Sequence, residues 1–189
     1  MKKNIQTIGL LVLILFSFSV HGQTPDEMKA YMNYMTPGTV QQMMAKSAGN
    51  WTAAVTMWQK EGAPPMTSTM ESTSEMILGG RYLQSKDKGK MYGMPFEGVA
   101  ITGYDNAKKM FASTWIDNMG TGVMFLSGNW DAATNSMILT GNTTDPLTGN
   151  DVSVKQILKF VDDNHQEMEM YSTKDGKVFK TMEIKFTRI

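Results

Sequence analysis

From Trp51 onward the chain alternates apolar and polar residues with a period of two. The alternation is cleanest near its end. Val152, Val154, Leu158 and Phe160 fall on one side, and Ser153, Lys155 and Lys159 on the other. Met168 and Met170 alternate with Glu167 and Glu169, and Met182, Ile184 and Phe186 with Glu183 and Lys185. Successive side chains of a strand point to opposite faces, so each such segment has one dry face and one wet face. The pattern predicts about ten strands, at 51–60, 66–78, 81–87, 92–104, 108–116, 121–130, 136–141, 151–161, 165–173 and 178–188. Clusters of turn residues separate them, among them Gly79-Gly80, Asp87-Lys88-Gly89, Asp117-Asn118-Met119-Gly120 and Asp162-Asp163-Asn164, with a longer loop over 142–150. Short connections place sequence neighbours side by side in an antiparallel meander. Ten half-wet strands close most simply into a barrel, which removes the unpaired edges. A two-layer sandwich is the alternative. The expected fold class is therefore all-β, an antiparallel up-and-down barrel of about ten strands.

Ahead of the strands the period changes. Thr24-Pro25-Asp26-Glu27 reads as a capped helix start, with Pro25 in the first turn and Glu27 completing a capping box. That helix runs to about Met35, where Thr36-Pro37-Gly38 breaks it. Val40, Met43, Met44 and Ser47 then recur at helical spacing, predicting a second short helix over 39–47 that exits at Gly49. Further upstream, Lys2 and Lys3 precede the uncharged run 8–20 (IGLLVLILFSFSV), and Gly22 follows it. This is the pattern of a cleavable export signal over 1–22, and it falls short of the roughly 20 apolar residues a membrane span needs. The expected organisation is a leader at 1–22, a helical segment at 23–48 and a barrel domain at 49–189. The mature protein would begin near Gln23, carry no membrane anchor, and be periplasmic or secreted.

Composition narrows the chemistry. The 189 residues carry 18 Lys+Arg, 18 Asp+Glu and no cysteine. Losing Lys2 and Lys3 leaves 16 basic against 18 acidic residues, a net charge of −2. A neutral to acidic chain is no nucleic-acid binder, which needs a basic face. The absence of cysteine excludes disulfides, thiolate catalysis, cysteine zinc sites and a lipid-anchored cysteine. An exported protein of this kind owes its stability to packing.

Closure makes a prediction at one end. In an even-stranded barrel the first and last strands pair antiparallel, which sets Trp51 beside Arg188. Both share parity with inward residues, so a guanidinium over an indole is expected beneath the two helices. A solvated terminal arginine is the alternative. Gly49-Asn50-Trp51 with Arg188 resembles the G-x-W and arginine pair of lipocalins and related calycin barrels. Gly79-Gly80-Arg81, Pro95-Phe96-Glu97-Gly98, Gly103-Tyr104-Asp105, Trp115-x-Asp117 and Gly128-x-Trp130-Asp131, in that order, resemble the bacterial domain-of-unknown-function family DUF 1579 over roughly 39–188. The resemblance implies a calycin-like barrel and brings no catalytic residues with it.

Candidate sites follow from residue chemistry. The chain has 19 methionines. Thioethers suit Cu(I), which makes a methionine copper binder one reading, but most of these residues fall on predicted dry faces, where Met fills irregular space. His165 lies at a turn, a surface position ill-suited to an axial haem ligand. Arg81, Glu97 and Asp117 form the most chemical-looking polar trio. Pro95, Val99 and Ile101 share the parity of Glu97, while Phe96, Gly98 and Ala100 oppose it, which leaves open the side that Glu97 faces. No nucleophile constellation, phosphate loop or cofactor signature is present.

The interior is the strongest lead. An eight-stranded barrel already holds side chains or one small ligand, and ten strands enclose more. The inward positions include small residues (Ala53, Ser68, Ser72, Ser74, Gly98, Ala100 and Ala112) and the flexible Met70 and Met168. The expectation is a cavity for a small hydrophobic or amphipathic ligand, lined by Trp51, Met70, Tyr82, Phe96, Trp115, Phe125 and Phe160. An enzyme with an acidic or aromatic site in the same cavity is the alternative.

Overall fold

A computed structural model describes residues 24–174 and 176–189. The expected leader at 1–22 and the cleavage point beside it lie outside the described residues. Helix α1 (Pro25–Met35) begins as its sequence predicts. The Thr24 hydroxyl accepts from the Glu27 amide, and the Glu27 carboxylate accepts from the Thr24 amide at 2.7 Å. Helix α2 (Thr39–Ala45) follows, two residues shorter than its periodicity suggested. Gln41 and Met44 are its buried residues.

Ten strands then run in order: β1 (Gly49–Met57), β2 (Met66–Ile77), β3 (Tyr82–Met91), β4 (Met94–Asp105), β5 (Met110–Asp117), β6 (Met124–Asp131), β7 (Ser136–Thr144), β8 (Asp151–Phe160), β9 (His165–Lys174) and β10 (Lys177–Arg188). Each pairs antiparallel with its neighbours in sequence, and β1 pairs with β10, so the sheet is a closed barrel. The sandwich reading is set aside, because that last ladder leaves no edge.

Strand ends differ from the sequence pattern by up to four residues, β1 ending at Met57 and β6 beginning at Met124 among them, and two of the differences move a turn or a loop. Asp87-Lys88-Gly89 is not a turn; β3 continues through it to Met91. The reversal comes at Tyr92-Gly93, both with positive φ, as a two-residue hairpin requires. Gly89 sits in the strand because Met70 on β2 occupies the space of its side chain: a Cβ there would stand 2.8 Å from Met70 Cγ. Likewise β7 runs on to Thr144, shortening the loop expected at 142–150.

Closure is locked at one end. The Arg188 guanidinium lies 4.1 Å from the centre of the Trp51 ring. It donates to the carbonyls of Ala48 (2.8 Å), Lys46 (2.6 Å) and Asp163 (2.9 Å). Trp51 Nε1 donates to the Ser47 carbonyl at 3.0 Å, and Gln166 Nε2 to the Ser47 hydroxyl at 2.9 Å. One terminal arginine thereby ties the helix-to-β1 connection, the β8–β9 turn and the last strand together. Gly49, at φ 136°, makes way for it; a Cβ there would collide with the guanidinium. The apolar core forms two clusters. One gathers Met44, Phe111, Leu126, Met137, Leu139 and Val154; the other gathers Ala53, Val55, Met57, Met70 and Phe96.

Candidate functional site

Members of both clusters line a cavity of about 500 Å³ inside the barrel. That lies within the roughly 300–1,000 Å³ typical of ligand pockets. At one end Met43, Met44 and Ser47 close it from below. At the other it reaches the β3–β4 and β5–β6 connections through Tyr92 and Met119, both exposed.

Its wall is chemically divided. Cross-strand partners in a ladder share a face, and the register runs Trp51, Ser72, Asp87, Gly98, Asp117 across five successive strands. The next rows hold Ser74 with Ser85 and Thr102 with Ser113, whose hydroxyls pair at 2.7 and 2.9 Å. Strands β2 to β5 thus carry both lining carboxyls and these hydroxyl rows, beside the apolar Leu83, Met91, Phe96, Phe111 and Trp115. The rest of the wall, from β6 through β10, is mainly Met124, Leu126, Met137, Leu158, Phe160, Met168, Met170, Met182, Ile184 and Phe186, with Gln156, Gln166 and Ser172 among them. Methionine is spread around this wall over several strands, with Met168 and Met170 sharing β9.

The two carboxyls of the polar row differ. Both Asp117 oxygens are occupied: Trp115 Nε1 donates to one at 2.7 Å and the Met119 amide to the other at 2.9 Å. Asp87 Oδ1 is buried and accepts no hydrogen bond from any described residue. Burial holds its carboxyl above the ordinary carboxylate range, and the Ser72 hydroxyl opposite offsets part of this.

The residues singled out from sequence divide as follows. Trp51, Phe96, Trp115 and Phe160 are in the cavity lining, with Phe96 stacked on Trp115 at 6.3 Å between ring centres. Gly98 provides the room for the Trp115 ring, which a Cβ would strike. Met70 points inward but is packed over Gly89, in the core rather than the cavity lining. Tyr82 and Phe125 are corrections: they lie on the outer face, 40% and 54% exposed. Tyr82 covers Gly103 from outside, where a Cβ would come within 2.7 Å of its ring. Phe125 has the opposite parity to the inward Met124 and Leu126. Ala112 also faces out, since its neighbours Phe111 and Ser113 line the cavity.

The polar trio does not assemble. Arg81 precedes β3 at the helix-covered end, donating to the carbonyls of Met35 (2.7 Å) and Leu78 (3.1 Å). Glu97 is on the outer face, its side chain 66% exposed and 3.4 Å from Lys88 Nζ. Asp117 alone reaches the interior. His165 Nδ1 lies 2.9 Å from Asp162 on the exposed face of β9, outside the cavity lining. Among the described residues no group of three or more His, Asp or Glu stands close enough to hold a metal.

Sequence reasoning missed Asp87 and Ser85. Their signal was present: Gln84, Lys86, Lys88 and Lys90 alternate with Leu83, Ser85, Asp87 and Gly89. The Asp-Lys-Gly sequence outweighed that alternation and placed Asp87 in a surface turn.

Comparison with known proteins agrees with this architecture. The family model described as a protein of unknown function (DUF1579) matches residues 36–188. Among solved structures, the crystal structure of Rv2717c from M. tuberculosis is similar, with a TM-score of 0.59 at 11% identity, covering 82% of this chain and 99% of that one. At that identity the likeness concerns the fold alone. No curated protein matches the chain.

Proposed function

The chain belongs to the DUF1579 family of proteins of unknown function, and from that premise we propose that it is an exported, calycin-like barrel that binds a small hydrophobic or amphipathic molecule. The cavity carries this reading: about 500 Å³ lined largely by methionine, leucine and aromatic side chains, with a few polar groups on one side. A barrel evolved only to pack would fill that volume, since native interiors leave few voids larger than a water molecule. Binding is favoured over catalysis because the polar trio is dispersed, with Glu97 outside the wall that Asp117 lines. The calycin-like relation is supported by the Gly49-x-Trp51 motif with Arg188 stacked on the indole. Export is supported by the charged, apolar and cleavable pattern of residues 2–22.

The test is titration with N-phenyl-1-naphthylamine, whose fluorescence rises in apolar surroundings, together with native mass spectrometry of protein purified from its source. The expected results are saturable enhancement at one probe per chain and a co-purifying small mass. Ala100→Phe, which projects a ring into the cavity, abolishes the enhancement. A linear, unsaturable response together with a bare protein mass would overturn the reading. A purified chain beginning near Gln23 supports export; one retaining Lys2 and Lys3 overturns it.

A further inference from the structure

Asp87 is hard to explain as part of a structural scaffold. It sits on β3, in the middle of the cavity wall, with Oδ1 buried and unpartnered. The lysines beside it in sequence, Lys86 and Lys88, alternate outward and are exposed. No lysine or arginine is among the lining residues, so no cation of the described chain meets this carboxyl inside the barrel. The other lining carboxyl, Asp117, already has both oxygens bonded. Among the described residues the Ser72 hydroxyl is the only group that eases its burial. A buried carboxylate without a counter-charge costs stability, and such groups are retained where a ligand supplies what is missing.

The position suggests what the ligand brings. In a ring of ten strands, β8 lies five steps from β3 in either direction, so Asp87 looks across the cavity toward the strand that carries Leu158 and Phe160. Met168 and Met170 on β9 adjoin them. A molecule spanning the barrel therefore meets a carboxyl at one end and, Gln156 apart, an apolar wall at the other. A neutral donor would satisfy one lone pair but leave the charge uncompensated. A carboxylate ligand would face two acids and no base. Resting on the reading of the barrel as a ligand-binding protein, we propose that the ligand is an apolar molecule bearing a protonated amine, and that Asp87 receives the ammonium.

The experiment is displacement of N-phenyl-1-naphthylamine at neutral pH by octylamine, octanol and octanoate, which share a chain length and differ in head group. In the parent protein octylamine competes at least about tenfold more strongly than octanol, the lower end for a charge-assisted hydrogen bond in a dry site, and octanoate is weakest. In Asp87→Asn the octylamine to octanol ratio falls to about one. Far-UV circular dichroism confirms that the variant is folded, and the parent ranking tests the proposal without any variant. Octanol or octanoate matching octylamine in the parent overturns the proposal while leaving the cavity reading intact. So does an amine preference that survives in Asp87→Asn, since it would then come from another group, the lining carboxyl of Asp117 included. Absence of probe binding in the parent removes the cavity reading, and the amine proposal with it.

Discussion

Asp87→Asn is expected to stabilise the protein. The substitution keeps shape and volume while removing a charge that the fold does not neutralise. The folded carboxyl titrates above its ordinary value, mainly through burial. A raised folded value means that the unfolded chain gives up this proton first. Well below the ordinary aspartate value both states are protonated, and the parent loses nothing. As pH rises through the window between the ordinary and the raised value, the unfolded state is favoured, and above it the full penalty persists. The amide leaves a buried acceptor in the same place, so the substitution relieves only the excess cost of the charged group over the neutral one, about 1–3 kcal/mol. Asp87 borders a cavity and is not wholly enclosed, so the lower half of that range applies, about 1–2 kcal/mol. For a domain of this size that corresponds to roughly 2–4 °C in Tm per kcal/mol. The assay is urea and thermal unfolding of parent and variant, each refolded from denaturant to remove bound molecules, between about pH 4 and pH 7. The variant's advantage should be smallest at the acid end and grow toward neutrality. A variant less stable than the parent at neutral pH, or an advantage that does not change with pH, refutes the reasoning.

Other predictions concern the frame. Arg188→Ala removes three hydrogen bonds to carbonyls and the contact with Trp51; with partial exposure allowed for, urea unfolding should show a loss of about 3 kcal/mol, and a loss below 1 kcal/mol would mean that the stack does not hold the closure. Gly128→Ala drives a Cβ against the Ile138 carbonyl oxygen, a backbone atom that cannot swing aside, so it should cost about 2–3 kcal/mol or more, whereas Gly120→Ala, with open space around it, should be close to neutral in the same melts. On the outer face Lys180 bridges Glu169 at 2.9 Å and Glu183 at 2.8 Å, and its hydrogen bonds hold both carboxyls below their ordinary values. Lys180→Ala should therefore cost about 1 kcal/mol at neutral pH and low salt. That difference should shrink in high salt, and also as pH falls through the lowered carboxyl values, where the parent loses the same stabilisation.

The extent of the barrel was legible because its information is local. Alternation of Met182, Ile184 and Phe186 with Glu183 and Lys185 states which face is dry without any neighbour, and the capping box at Thr24 and Glu27 is complete within four residues. Even the stacking of Arg188 on Trp51 follows once an even number of strands is assumed, because antiparallel closure fixes that pairing. Turn chemistry misled where a glycine served packing instead of reversal. Asp87-Lys88-Gly89 has the composition of a hairpin turn, yet Gly89 is there because Met70 covers it from the adjacent strand. Whether an inward residue joins the core or the cavity was likewise beyond the local pattern: Met70 and Phe96 have the same inward parity, but one fills the space over a glycine and the other lines the hollow.

The order of residues by itself determined the elements, their wet and dry faces and the meeting of the two ends, because each depends on periodicity and chain connectivity. Tertiary structure alone decided that the wall encloses about 500 Å³ and that one carboxyl inside it lacks a partner. Volume and hydrogen-bond satisfaction depend on how ten separated segments curve toward one another, and that curvature comes from contacts such as Gly98 beneath Trp115 that no single strand contains.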